Sequence, residues 1–485
     1  MSSAIEGLEP RHLWKHFSAI TRIPHGSKNE AALAQFVLDT AQQLGLEGRR
    51  DGYGNVVVRK PASPGREGRP GVCLQTHLDM VCEKNADRAY DFTKDPIQLA
   101  RRGEVIVAEG TSLGADNGIG IAASLALIED RSLAHGPLEM LFTVEEEIGL
   151  VGAQHLEPGF IRSPILLNLD SEDEGEIYVG CSGGQDTVGS WPVSFEEAKP
   201  NMVALEVRVT GLKGGHSGLE IDKGRGNALK ILNRVILTLT EDAGARLARI
   251  DGGSKRNAIP REAFAVVFVP KSRLKRAKRL VAEWEATARA EVPAVEPELK
   301  VTATESQAAG RQVLKRKHQR QVGQALSALP HGVLKMSAEI PSLVETSTNL
   351  AVLQTTPELV TLGTSQRSSV KSEIREAAQT VRTILELTGA RVEQGSGYPG
   401  WKPNLDSPIL KLAQATYESL YGKKPEIKAV HAGLECGLIG EKYPGTDMIS
   451  FGPTMRDVHS PDERVYVDTV PKFWSFLVAL LDRVA

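Results

Sequence analysis

The chain has 485 residues, 41% of them hydrophobic and 25% charged, which excludes a disordered or membrane-embedded polymer and is long enough for two cores. A formal net charge of -3 leaves no overall basic field to hold nucleic acid or anionic lipid, so small-molecule partners are expected, with no nucleic acid and no membrane. Four cysteines without CxxC spacing argue against a thiolate zinc site and a disulfide framework, so any metal needs histidine and carboxylate ligands.

The N-terminal MSSAIEGLEPRHLWKHF lacks the basic lead, apolar stretch and small-residue cleavage site of a secretory signal, which predicts a cytoplasmic protein. Strand-like runs then follow as GNVVVR, GVCLQT, LEMLFTV and PILLNL. Between the second and third, GIGIAASLALIED has apolar residues at helical spacing and reads as a buried crossover helix. Strands alternating with helices in this way predict a mostly parallel α/β sheet. From about residue 187 the pattern changes to alternating strands such as MVALEVRV and FAVVFVP, mixed with charged helices. The basic runs KSRLKRAKR and LKRKHQRQ read as solvated helix faces, because Leu274, Ala277 and Leu280 recur at helical spacing. Turn formers in QGSGYPGW precede a return to helix and strand in LDSPILKLAQATYESLYG and DMISFGP, and the closing FWSFLVALL is too short to span a bilayer. The simplest organisation is one α/β domain built from residues 1–186 and 398–485, with an inserted α+β domain at 187–397.

Potential ligands collect where these strands end, which is where open α/β sheets bind their ligands. GVCLQT runs into His77 and Asp79, LEMLFTV into Glu145-Glu146-Glu147, and PILLNL into Asp170; DMISFGP precedes Asp457 and His459. Asp116 stands at the start of the crossover helix, where a carboxylate can cap backbone N–H groups. Taken singly, each has an ordinary explanation as a turn, a cap or a solvated charge cluster. Together they supply imidazole and carboxylate donors for two metals that share one bridging carboxylate. Asp79 can orient the second ring nitrogen of His77, and one of the neighbouring Glu146 and Glu147 can stay off the metal as the base that takes a proton from water.

The motifs THLDMV, SLGADNGIG, TVEEEIGLVGA, NLDSEDEGEIYVG, GGHSG, RNAIPREA, HAGLECG and GPTMRDVHSPDERV occur in this order along nearly the whole chain. With them the sequence resembles the aminoacyl-histidine dipeptidases, also called cytosol non-specific dipeptidases, of the co-catalytic zinc peptidase clan. The resemblance implies a di-zinc peptidase fold whose inserted domain serves as a lid. It further implies two Zn2+ ions, replaceable by Mn2+ or Co2+, with His77 and His459 as terminal ligands, Asp116 as the bridge, and Glu147 and Asp170 completing the sites. Glu146 is then the general base, Glu145 an extra acidic residue where many relatives have Asp, and Asp116-Asn117 a cis peptide.

By the same resemblance, His216 stabilises the oxyanion, and Asn257 and Arg367 hold the substrate's carboxylate end; Glu435 in HAGLECG either faces the substrate's free amino group or has a structural role in its glycine-flanked loop. The expected reaction is hydrolysis of unblocked dipeptides, including Xaa-His and β-alanyl-histidine, by a homodimer. The alternatives are an N-acyl amino acid deacylase or a carboxypeptidase on the same metal cradle, and a non-catalytic metal-binding scaffold.

Overall fold

A computed structural model describes residues 3–306 and 310–484. It divides into two compact units: residues 1–181, 401–429 and 434–485 form the first, and residues 182–400 and 430–433 the second. The second unit therefore begins and ends a few residues from the expected 187 and 397, and it also takes back a four-residue visit at 430–433.

The first unit is organised by an eight-stranded sheet. Four adjoining strands, Leu138–Thr143, Val72–His77, Ile165–Asn168 and Asp447–Ser450, run parallel. These are the predicted apolar runs, and their near-continuous burial is what a sheet covered on both faces requires. Antiparallel strands extend the sheet through Val56–Lys60 and Glu47–Arg50. The crossover helix Ala115–Glu129 is buried around almost its whole circumference, as an all-apolar helix must be. Gly120 permits its close approach to the sheet: a Cβ there would meet Asn117 Oδ1 at 2.4 Å and the Leu169 carbonyl at 2.8 Å.

A small four-stranded sheet carries the last ligand loop. The strands Met455–Arg456 and Arg464–Tyr466 pair as a hairpin around residues 457–463, and Arg464–Tyr466 also pairs with Val105–Ala108. That pairing brings the His459 loop to the segment just before Asp116.

The second unit is a nine-stranded, largely antiparallel sheet with helices Ala228–Ala243, Leu274–Glu291, Arg316–Ala328 and Lys371–Leu387. Alternate residues Leu205, Val207 and Val209 turn inward with Leu229, Leu232 and Val235 into one apolar core, the arrangement a period-2 strand and an amphipathic helix dictate. Both basic runs lie in helices of this unit whose apolar stripes, Ala277 with Leu280 and Val322 with Leu326, are buried. No helix among the described residues is long and apolar enough to cross a membrane.

Candidate metal centre

The parallel strands deliver their ligands to one end of the first unit's sheet. His77 closes its strand, and Nε2 lies 3.1 Å from Asp116 Oδ1 and 3.1 Å from Asp170 Oδ1. On the other side of Asp116, Oδ2 lies 3.2 Å from His459 Nε2, which is 3.0 Å from Glu147 Oε1. Asp116 thus stands between the two imidazoles with one oxygen toward each. Three groupings of donor atoms, all mutually within 4.8 Å, emerge: His77 with Asp116 and Asp170, His77 with Glu146 and Glu147, and Asp116 with Glu147 and His459.

This donor set fits two divalent cations. All the donors are imidazole nitrogens or carboxylate oxygens, a combination suited to Zn2+ and to harder first-row ions. Glu147 Oε1 is buried, and its contact with His459 Nε2 at 3.0 Å lacks the geometry of a good hydrogen bond. The electrostatics agree. Burial pushes the Glu146 carboxyl well above the usual range, with Asp170, Glu147 and Glu435 adding to it, and burial likewise raises Asp170 to about 6. Burial works against a charged His459, yet its contacts with Asp116 and Glu147 raise it to about 11. Carboxylates gathered this closely out of water call for positive charge.

The loops are held by carboxylates that are not in the donor groupings. His77 Nδ1 lies 2.9 Å from the backbone carbonyl of Asp79 and 3.5 Å from its Oδ1, so the expected carboxylate-to-imidazole contact is mainly a carbonyl contact. The Asp79 carboxylate instead accepts the N–H of Glu146 at 2.9 Å, the N–H of Glu147 at 3.1 Å and the Ser27 hydroxyl at 2.8 Å. Burial opposes its charge, but these bonds and His77 outweigh burial and leave its pKa below the ordinary value. Asn117, joined to Asp116 by a cis peptide, donates to Asp170 Oδ1 at 2.6 Å.

Glu463, which the sequence reading did not single out, accepts the N–H groups of Leu113 at 2.7 Å, Gly114 at 3.0 Å, Ala115 at 2.8 Å and Asp116 at 3.4 Å. It stands four residues beyond His459, so one carboxylate ties the His459 loop to the backbone that leads into Asp116. Asp457 and His459 in this loop have φ of 52° and 60°, a left-handed conformation that Asp and His adopt more readily than most residues. Glu145, at φ 53°, sends its carboxylate toward the Tyr53 hydroxyl at 3.3 Å, whereas Glu146 lies within the donor cluster.

Glu435 is 0% exposed; Oε2 accepts from Gln75 Nε2 at 2.5 Å and from Thr143 Oγ1 at 2.6 Å, while Oε1 has no partner.

The second unit brings His216, Asn257 and Arg367 together around Ser217. The Ser217 N–H donates to the Asn257 carbonyl at 2.8 Å, and Arg367 Nε donates to Ser217 Oγ at 3.5 Å. His216 and Asn257 line a groove of about 550 Å³. The N–H groups of Gly218 and Leu219 donate to His216 Nδ1 at 3.2 and 3.1 Å, so the ring carries its proton on Nε2. Gly218 is obligatory in this turn, since a Cβ would lie 2.1 Å from the His431 carbonyl. Burial, reinforced by the Arg367 charge, lowers the His216 pKa to about 4. Arg367 is buried and donates to the Tyr398 hydroxyl at 3.1 Å, with no carboxylate partner among the described residues. Tyr398 and His431, whose Nε2 lies 2.7 Å from Ser347 Oγ, also escaped the sequence reading.

Residues 73–483 match peptidase family M20/M25/M40. The chain is 41% identical over 482 residues to the cytosol non-specific dipeptidase of Escherichia coli (strain K12), covering 99% of each chain. It is similar to the crystal structure of aminoacylhistidine dipeptidase from Vibrio alginolyticus, with TM-score 0.91, 44% identity, and coverage of 100% of this chain and 98% of that one. Aminopeptidase PepT from Bacillus cereus ATCC 10987, at 17% identity and TM-score 0.58, covers 98% of this chain and 99% of its own and shares the fold alone. With its ligand cluster at the ends of parallel strands and a match over most of its length, the chain belongs to peptidase family M20/M25/M40.

Proposed function

We propose that this chain is a cytoplasmic metallo-exopeptidase that hydrolyses unblocked dipeptides, Xaa-His among them, with two Zn2+ ions as its resident metals. The observation that carries the reading is Asp116 set between His77 and His459, with the half-buried Glu146 grouped with His77 and Glu147. The likeness to two dipeptidases over the full chain supports the substrate class. His77, Asp170, His459 and Glu147 would hold the ions with Asp116 as the shared ligand. When bound, such ions supply Lewis-acid polarisation of a peptide carbonyl and acidify water.

The chain's own residues do the rest. Glu146, whose protonated form is favoured by burial, takes a proton from the attacking water and returns it to the leaving amine. Arg367 recognises the substrate's terminal carboxylate: a buried guanidinium without an acidic partner is an anion site, and its planar fork matches two carboxylate oxygens. Asn257 assists at the same end. His216 donates from Nε2 to the oxyanion as a neutral imidazole, delivered within its own chain or by the partner of a homodimer.

The test is turnover of a dipeptide panel by protein loaded with Zn2+, Mn2+ or Co2+, alongside N-acyl amino acids and tripeptides. Cleavage of free dipeptides, Xaa-His included, is the expected result. Preference for N-acyl amino acids would replace this reading with a deacylase.

A further inference from the structure

Glu146 and Glu147 stand on a loop whose backbone N–H groups are taken by side chains from other segments. Past the strand Leu138–Thr143, consecutive N–H groups each meet a side-chain oxygen: Val144 donates to Asn55 Oδ1 at 3.2 Å, Glu145 to Glu30 Oε1 at 3.1 Å, Glu146 to Asp79 Oδ1 at 2.9 Å and Glu147 to Asp79 Oδ2 at 3.1 Å. The carbonyls of Val144, Glu145 and Glu146 accept from the N–H groups of Gly152 at 2.9 Å, Val151 at 3.0 Å and Leu150 at 2.8 Å. Asn55 joins the two ends of the loop, since its Nδ2 donates to the Gly152 carbonyl at 3.0 Å.

Glu30 is not among the metal donors and is 6% exposed. Its Oε1 also accepts the Lys28 N–H at 2.9 Å, and the nearby Ser27 hydroxyl donates to Asp79 Oδ2 at 2.8 Å, so one short segment serves both carboxylates. Burial raises the Glu30 carboxyl, and the backbone N–H groups work against that rise. Neither bond depends on its charge: both end on one oxygen, which accepts whether the carboxyl is ionised or carries a proton on its other oxygen.

The strained point of the loop lies between the bonds to Glu30 and Asp79. Glu145 has φ of 53°, a left-handed conformation uncommon for a residue with a side chain. Glu30 pins the peptide plane before it and Asp79 the plane after it, and the orientation of those two planes sets its φ and ψ. The turn sends the Glu145 carboxylate toward the Tyr53 hydroxyl at 3.3 Å and leaves the next residue, Glu146, grouped with His77 and Glu147.

We infer that Glu30 is a positioning residue for the base: by holding the Glu145 N–H, it keeps the left-handed turn that sets Glu146, rather than Glu145, beside the metal ligands. This rests on the reading of Glu146 as the base.

Glycine adopts the left-handed conformation without strain, so the need for Glu30 can be removed at position 145 itself. The experiment measures kcat, KM, Zn2+ stoichiometry and melting temperature for Glu30→Gln, Glu30→Met, Glu145→Gly and Glu30→Met/Glu145→Gly. Glu30→Gln keeps an oxygen for both N–H groups and should retain kcat, as should Glu145→Gly. Glu30→Met, similar in length but without a good acceptor, is expected to lower kcat about 10–100-fold while both Zn2+ ions stay bound and KM changes little. The double variant is expected to return to within about threefold of Glu145→Gly.

Wild-type kcat in two-zinc Glu30→Met would overturn the inference even if its melting temperature fell, since Glu30 would then serve stability alone. A double variant no better than Glu30→Met would overturn it too, as would a loss of turnover that excess Zn2+ restores. If Glu30→Met does not fold, Glu30→Asp, whose carboxylate ends one methylene short of these N–H groups, takes its place in the series. Near-normal turnover by two-zinc Glu146→Gln would instead remove the base reading itself, which separates the two failures.

Discussion

The carboxylate of Asp79 accepts the backbone N–H of Glu146 at 2.9 Å, while the backbone carbonyl of the same Asp79 receives His77 Nδ1 at 2.9 Å. One residue therefore holds the His77 imidazole through its main chain and the backbone of Glu146 and Glu147 through its side chain. Asp79→Asn keeps the first contact and puts an amide donor against the N–H of either Glu146 or Glu147. The expected result is a fall of about 10–100-fold in kcat with His77 still able to bind metal. Loss of metal without loss of kcat in metal-saturated enzyme would show that the imidazole contact matters more.

Asp116 faces both imidazoles, and among the described residues His459 meets the carboxylates of Asp116 and Glu147. Asp116→Ala should lower occupancy of both metal sites, and His459→Ala chiefly one. Metal analysis after dialysis at limiting Zn2+ distinguishes them. Two tightly bound equivalents in Asp116→Ala would contradict the bridging role.

Glu463 serves four backbone donors from Leu113 to Asp116. Glu463→Ala orphans these buried groups, at about 1–3 kcal/mol for each one that finds no water. A lower melting temperature should come with weaker Zn2+ binding, because the bridging residue loses its anchor. Glu463→Gln, which retains an acceptor oxygen, should be milder on both measures. Unchanged metal affinity in Glu463→Ala would confine the residue to stability.

His216 should remain neutral across the working range. Its folded pKa, lowered to about 4 chiefly by burial and then by Arg367, lies below the ordinary 6.5. A depressed histidine pKa means the unfolded chain takes up the proton first. Its contribution to stability is accordingly full above pH 6.5 and is lost as pH falls through about 4. Ring nitrogen shifts followed by NMR should show Nε2 protonated at neutral pH and a midpoint near 4; a midpoint near 6.5 would contradict the assignment. His216→Ala should reduce kcat by about 10²–10³ with metal content intact. Verified mixed dimers of His216→Ala and Glu146→Gln regain activity only if a partner delivers the histidine.

Much of the first unit was legible because its parallel strands are short apolar runs, two of which stop at or just before a candidate donor, as GVCLQT stops before His77 and PILLNL before Asp170. The helix Ala115–Glu129 was equally plain from its apolar content. Contacts between distant segments were not legible. Asp79 could be paired with His77 from spacing alone, but its carboxylate goes to residues 67 and 68 positions away. Glu463 and Glu435 owe their roles to partners more than 290 residues distant, for which no local pattern exists. HAGLECG is one continuous motif, yet its His431 belongs to the second unit and its Glu435 to the first. Composition gave no sign of that division, because the visit of the chain to the second unit lasts only four residues.

In the proposed function the donor cluster holds two metals while Glu146 stays free to move the proton. That division of roles is tested most directly by measuring Zn2+ stoichiometry and dipeptide turnover in one preparation of Glu146→Gln. An amide in that place binds no proton from water but leaves His77, Asp116, Glu147, Asp170 and His459 untouched. Two Zn2+ equivalents with kcat lowered by about 10²–10⁴-fold is the predicted result. Near-normal turnover in the two-zinc Glu146→Gln protein would contradict it and point to Glu145 instead.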